Sequence, residues 1–411
     1  MSILARPMRC VSLQAFPPHK YNLQAPTANP FQLMRYAPDS VDIDLYYFEG
    51  APEHRESSER CIGTLRLGKI RSIQRKSGLG RYASLAAART RGLPGSVGMF
   101  PVIPQVLQEM NAEGPELVWM YPHWLVDWVP RLECDNIVVT GPDSAVLHNE
   151  RALRYGKLTP PQKREQLRLL SRNMKLEGSL GRMDVRVHMV GKRDAERFEE
   201  LTGHQGKAFF VPHPLYDYSE IKEKITERSD RLRVLFSGGG GKVFDGDHLE
   251  RIVAGFVKTS GENAKGIELR FVGKGYESQA STLRAAGYGV TQADWVPSYE
   301  DELASAHVHV FPQAVGTGTK GRVLTALATG LLCIGTEFAF ENIAVEPGKG
   351  CVQYHGPEEV PTLLRSVLDN PNEHEAIAAR GASDVRREHD PKSTAAQFWN
   401  LAGAKPAQPE R

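Results

Sequence analysis

Residues 307–341, HVHVFPQAVGTGTKGRVLTALATGLLCIGTEFAFE, constrain the fold more than any other stretch of the chain. A short apolar strand ends at a proline. A glycine-rich turn follows, then a helix from about Arg322 to Ala328, and then a second strand from Leu331 to Thr336. Gly330 is placed to end that helix in a left-handed conformation. Gly316, Gly318 and Gly321 lie just before the helix, so its unpaired first N–H groups and positive dipole end face the turn. Lys320 adds a full charge there, and Thr317 and Thr319 add hydroxyls. Such a turn is an anion site, and a nucleotide diphosphate is the anion it suits.

A second glycine signal, Gly238, Gly239, Gly240 and Gly241 followed by Lys242, also comes directly after a predicted strand. Glycines let a phosphate approach the backbone closely, whereas a merely flexible turn has no need of four in a row. The run is not a nucleoside-triphosphate loop, because Val243 stands where Ser or Thr is required. Nor is it the dinucleotide fingerprint, whose third glycine falls on Val243 or Phe244. Predicted strands at 233–238, 269–272, 308–311 and 333–335 alternate with helical patterns, which means a parallel sheet with helices on both faces.

The first half repeats this theme. Residues 7–15, 41–48, 116–121 and 136–140 read as strands of a second parallel sheet. Ligands of open α/β sheets bind beyond the carboxyl ends of strands. His123, Trp124 and Asp127 after one strand, and Asp143 and Ser144 after the next, are therefore the residues to watch; His123 and Asp143 stand as the catalytic candidates. The 17–30 loop, with His19, Lys20, Asn22, Asn29 and Pro30, suits either a ligand-facing loop or an ordinary surface connection. His307 and His309 alternate with valines on one strand face, and two histidines alone do not make a metal site.

A chain of 411 residues is too long for one ordinary core, and two similar halves are the simplest organisation. The net charge of +2 from 51 basic and 49 acidic residues argues against a nucleic-acid protein with a wholly basic surface. Five unpaired-looking cysteines fit a reducing cytoplasm better than a disulfide framework. The N-terminus lacks an apolar signal core, and no run approaches the roughly 20 apolar residues that span a bilayer. Charge is nevertheless uneven, with a basic run at 55–91 and a basic amphipathic stretch at 163–175. The latter is either a solvated helix packed by its leucines or a helix lying on anionic lipid.

A strand ending in Pro, then Gly-x-Gly-x-Lys, then a helix with small residues and Gly, then a strand with Gly-Thr is similar to nucleotide-sugar glycosyltransferases of the retaining GT-B branch, group 1 or family 4-like, of bacterial polysaccharide assembly. VLFSGGGGKVFDG and LRFVGKGYESQASTLRAAG resemble the first two units of that family's donor domain. The resemblance implies two Rossmann-like domains. The acceptor-binding one spans 1–215 and the nucleotide-sugar one 216–388, with a crossing-back helix and tail at 389–411. It implies sugar transfer from a nucleotide-diphosphate sugar to a saccharide, lipid-linked or protein acceptor, in the cleft between domains, with no cofactor or metal. The protein would be cytoplasmic or peripheral at the inner face of the membrane. The donor set would be the 238–242 turn, Gly316 to Gly321, Thr325 and Glu341. Many family members carry two glutamates with seven residues between them; here those positions hold Thr317 and Thr325, so Glu337 or Glu341 would have to replace the ribose acceptor. The rival implied by that loss is a noncatalytic GT-B protein binding a nucleotide, saccharide or partner protein.

Overall fold

The computed structural model describes residues 6–21, 27–215, 221, 222, 224, 231–238 and 246–403. The chain divides into two compact units, residues 1–149, 167–216 and 391–411 forming the first and 150–166 with 217–390 the second. The expected linker at 219–231 and the tail from Lys405 lie largely or wholly outside the described residues.

In the first unit seven strands form one parallel sheet in the order β3-β2-β1-β4-β5-β6-β7. They are β1 Met8–Gln14, β2 Val41–Phe48, β3 Ile70–Ile73, β4 Leu117–Tyr121, β5 Ile137–Gly141, β6 Arg186–Met189 and β7 Ala208–Phe210. Every residue of β4 and β5 is buried, as an apolar run must be when helices cover both faces of a sheet. The side-chain alternation of the strands sorts the core into two layers. Leu13, Phe48, Val118 and Met120 point to one; Cys10, Leu45, Leu117 and Trp119 point to the other.

The second layer is closed by the C-terminal helix, Pro391–Gly403. Its Phe398 and Trp399 rings lie 4.9 and 5.5 Å from Trp119, and the Trp399 indole donates to the Leu33 carbonyl at 2.8 Å. Asn136 and Arg186 donate to the carbonyl of Ala402, satisfying groups that a helix end leaves open.

The second unit holds a six-stranded parallel sheet in the order β10-β9-β8-β11-β12-β13. Its strands are β8 Leu232–Ser237, β9 Ile267–Val272, β10 Gly289–Ala293, β11 Val308–Phe311, β12 Leu332–Gly335 and β13 Val352–Gln353. His307 precedes β11 rather than sitting within it, and its Nδ1 accepts the Arg233 N–H at 2.9 Å. The sequence boundary at residue 215 puts 150–166 with the first domain, but these residues belong by contact to the second. Ala152 packs with Ala314 and Val315, and Arg151 reaches Gly316 and Glu341.

In both sheets the strand order reverses once in its middle, between β1 and β4 and between β8 and β11. A crevice opens at such a switch point outside the carboxyl ends of the strands, and this fixes where ligands are to be sought in each unit.

Candidate functional site

At the switch point of the second unit, β8 ends in Ser237 and Gly238. The Ser237 hydroxyl sits between the Tyr299 hydroxyl at 2.7 Å and His309 Nε2 at 2.9 Å. Burial pushes Tyr299 up to about 12, opposed by the Ser237 hydrogen bond and the charge of Arg322. Burial also drives His309 well below its ordinary value, and Arg322 adds to that, so the ring is neutral. The three side chains form an uncharged, hydrogen-bonded floor.

Above it the backbone comes close. A Cβ on Gly273 would lie 1.7 Å from the Gly238 carbonyl oxygen, and both residues have φ near the value only glycine holds easily, 128° and 124°. A Cβ on Gly238 would also meet the Arg322 guanidinium at 2.1 Å, so this cation lies close against the glycine. Gly239, Gly240, Gly241 and Lys242 lie outside the described residues.

The helix predicted at 322–328 runs Gly321–Thr329, and Gly330 ends it with φ 94° as expected. A Cβ on Gly321 would meet nothing within 4 Å, leaving the helix N-terminus open to an anion. Lys320 folds back under this turn. Its side chain is 9% exposed, its ammonium donates to the Gly318 carbonyl at 3.1 Å and lies 3.6 Å from Glu341. Gly316 makes room for it, since a Cβ there would sit 2.7 Å from the lysine Cε. Gly318, with φ 59°, also accepts from the Asn342 amide at 2.9 Å. Thr317 and Thr319 lie on the same turn.

Two expected ribose acceptors are otherwise engaged in this structure. Both Glu341 oxygens take Arg151 in a bidentate pair, at 2.6 and 2.7 Å, and the same guanidinium donates to the Gly316 carbonyl. Thr325 donates its hydroxyl to the Gly321 carbonyl one helical turn back. Glu337 is exposed on the short Glu337–Phe340 helix. Sequence reasoning missed Arg151, Tyr299 and Arg322. It also missed Trp295, 76% exposed just past the carboxyl end of β10, although a large aromatic directly after a strand is a legible signal.

The first unit's switch point has a different character. Tyr121, which ends β4, and His123, just past it, are 4% and 3% exposed, and both imidazole nitrogens are buried without a hydrogen-bond partner. Asn29, on the Ala28–Arg35 helix, lies beside the Tyr121 hydroxyl and acts on it as a hydrogen-bonding group, and neither side chain's polar atoms have any other partner. Burial holds His123 down to about 4 against the opposing charge of Asp143, and raises Tyr121 well above its ordinary value. Gly141 leaves space for the imidazole, because a Cβ there would come within 3.2 Å of Nδ1. Asp143, half-buried between β5 and the next helix, is the carboxylate acting on both rings.

Unpartnered buried donors and acceptors cost roughly 1–3 kcal/mol each, and several in one place are explained most simply by a ligand that completes them. Three neighbours singled out by sequence serve the scaffold instead. Trp124 stacks on Phe100, Asp127 pairs with Arg91 at 2.6 Å, and Ser144 is bound between Asp194 and Glu177.

Residues 251–400 match the family described as glycosyl transferase-like. In structure the chain is similar to HepE of Anabaena, solved with UDP, at 12% identity over 96% of this chain and 99% of that one, TM-score 0.64. It is similar to sucrose-phosphate synthase of Thermosynechococcus elongatus at 14% identity over 96% and 98%, TM-score 0.64. It is also similar to the apo form of the lipopolysaccharide outer core galactosyltransferase WaaB, at 13% identity over 96% and 99%, TM-score 0.61. At these identities the likeness is one of fold. No curated protein sequence matches the chain.

Proposed function

We propose that this GT-B chain, with its glycosyl transferase-like domain over residues 251–400, transfers a sugar from a nucleotide-diphosphate sugar to an acceptor hydroxyl. The observation that carries the reading is the second unit's switch point, where an open helix N-terminus, Lys320 and Arg322 gather around glycine backbones. A departing diphosphate develops negative charge, and fixed N–H groups and cations aimed at it lower the barrier without rearranging. HepE was solved with UDP, so uridine nucleotides are the first donors to test. Trp295 offers a face on which a base can stack.

The first unit supplies the acceptor side. A neutral His123 with a value of about 4 is a weak base at neutral pH but a good hydrogen-bonding partner for a sugar hydroxyl. Asp143 is the carboxylate whose charge acts on the ring. Retention of configuration, a hexose as the transferred sugar, and a saccharide, lipid-linked or protein acceptor of surface polysaccharide assembly complete the reading. No cofactor beyond the donor nucleotide is part of it.

One observation favours a noncatalytic GT-B protein that binds a nucleotide or saccharide. Glu341, the expected replacement ribose acceptor, is committed to Arg151, and Thr317 and Thr325 cannot replace a carboxylate that accepts two hydroxyls. A thermal-shift series with uridine, guanosine, adenosine and thymidine diphosphates and their sugars tests the donor site, because a ligand of the folded state alone raises its stability. Donor hydrolysis by the purified protein then separates the two readings. A shift followed by turnover supports the transferase, and a shift with no turnover supports the binding protein. No shift with any nucleotide removes the donor site itself.

A further inference from the structure

The Gly78–Thr90 helix buries only Ala88 of its thirteen residues. A helix on a soluble domain ordinarily turns its large apolar side chains to the core. Here Leu79 is 88% exposed and Tyr82 70% exposed, and with Ala83 and Ala86 they fall at positions i, i+3, i+4 and i+7 of one face. Ile70, on the edge strand β3, is 48% exposed.

The surrounding charge has one sign. From Arg60 to Gln108 the chain contains no Asp or Glu while carrying nine Lys and Arg residues. Some of these are satisfied within the fold. Lys69 and Arg71 reach Glu109, Arg91 pairs with Asp127, and Arg75 lies over the rings of Phe16 and Phe100. Lys76, Arg81 and Arg89 have no acidic partner among the described residues, and they flank the exposed leucine and tyrosine.

The patch continues onto the Pro160–Arg182 helix. The Lys175 stem lies 3.3 Å from where a Cβ of Gly92 would stand, just past the end of the Gly78–Thr90 helix. Leu167 and Met174, seven residues apart on that helix, are 50% and 41% exposed, while its Leu176 and Leu180 are buried.

We propose that this face of the first unit docks on the surface of an anionic phospholipid bilayer. Leu79 enters the acyl boundary, Tyr82 sits at headgroup depth with its hydroxyl in water, and Lys76, Arg81 and Arg89 meet the phosphates. A soluble polyanion would explain the unpaired cations and give Leu79 no role, whereas a bilayer explains both. No described helix is long and apolar enough to cross a membrane, so the contact is a surface one. The assignment rests on neither the donor nor the acceptor reading.

The test is co-sedimentation of the full chain with vesicles of phosphatidylcholine alone and of an equal mixture of phosphatidylcholine and phosphatidylglycerol. Binding is expected to the mixed vesicles only, and to weaken as salt is raised. Leu79→Ser with Tyr82→Ser, and separately Lys76→Glu with Arg81→Glu, should each lower the bound fraction about tenfold or more. All four side chains are exposed, so the melting temperature should not move. Equal sedimentation with both vesicle types, or none at low salt, overturns the proposal. So does undiminished binding by the Leu79 and Tyr82 double variant, which would leave only a general attraction to polyanions such as nucleic acid.

Discussion

The two sheets solve the same topological problem and then furnish their switch points in opposite ways. In the second unit Lys320, Arg151 and Glu341, the charged groups about the glycine turn, are partnered, while His309 Nδ1 and Gln313 Oε1 are buried without a partner. Ser237 joins Tyr299 to His309, Lys320 leans on Gly318 and Glu341, and Arg151 clamps Glu341. In the first unit both nitrogens of buried His123 are unpaired, and the Asn29 and Tyr121 side chains have no hydrogen-bonding neighbour but each other. Formal charge accounts for the contrast. A site for a diphosphate must hold cations in position while it is empty, and it can do so only with counter-charges and carbonyls. A site for uncharged hydroxyls needs none, and it can leave neutral donors and acceptors waiting at a bearable cost.

The strongest way to break this comparison is His123→Phe, which keeps ring volume and removes both nitrogens. If the first unit handles the acceptor, transfer should fall about 100-fold or more while UDP affinity, read by calorimetry, stays within about twofold. Equal losses in both would mean that the two switch points do not divide the labour. Lys320→Ala probes the other side. Loss of a charge-assisted contact should weaken UDP binding by about 1–3 kcal/mol, or roughly fivefold to 150-fold, and unaltered affinity would remove the phosphate assignment.

The third prediction concerns how the first unit favours neutral groups. Burial pushes Glu177 up to about 7 despite hydrogen bonds from Ser144 and Val146. Its folded value lies above the ordinary 4.5, so the folded state holds this proton more tightly, and stability falls as pH rises from about 4.5 to 7. His188 works in the opposite direction. Burial lowers it to about 3, so the unfolded state binds the proton more tightly and stability rises with pH between about 3 and 6.5. Denaturant titrations across pH should show Glu177→Gln removing the downward component and stabilising the protein by about 1–3 kcal/mol at pH 8. An unchanged profile would mean that Glu177 is not held protonated. The smallest effect is expected for Trp295→Ala. Loss of a stacking face should weaken UDP binding by about 1 kcal/mol and leave inorganic pyrophosphate binding unaltered, which calorimetry with the two ligands distinguishes.

Much of the fold was legible because it depends on periodic features. Buried apolar runs such as Leu117–Tyr121 and the strand, glycine turn and helix around Lys320 declare themselves within a dozen residues. The glycine turn was readable for the same reason, since close backbone approach admits few residue types. The partners of that turn were not. Arg151 meets Gly316 across 165 residues, and Ser237 meets Tyr299 across 62, and neither pairing leaves a mark in local composition. Arg322 passes for an ordinary helical arginine until Gly238 is seen beneath it. His123 was found by the carboxyl-end rule, but the same rule also picked Trp124, Asp127 and Ser144, whose side chains serve packing, pairing and helix capping.

The Pro391–Gly403 helix, which completes the first unit after the chain has passed through the second, has a consequence for synthesis. Domains emerging from a ribosome fold as units in order of appearance, yet the first unit's Trp119 face stays uncovered until residues near Trp399 have been made. The second unit, all but residues 150–166 of it continuous in the chain, has its segments in hand earlier. The half that begins first therefore finishes last, and a chain cut short before residue 391 presents an open aromatic layer to chaperones and to other nascent chains instead of a smaller working protein.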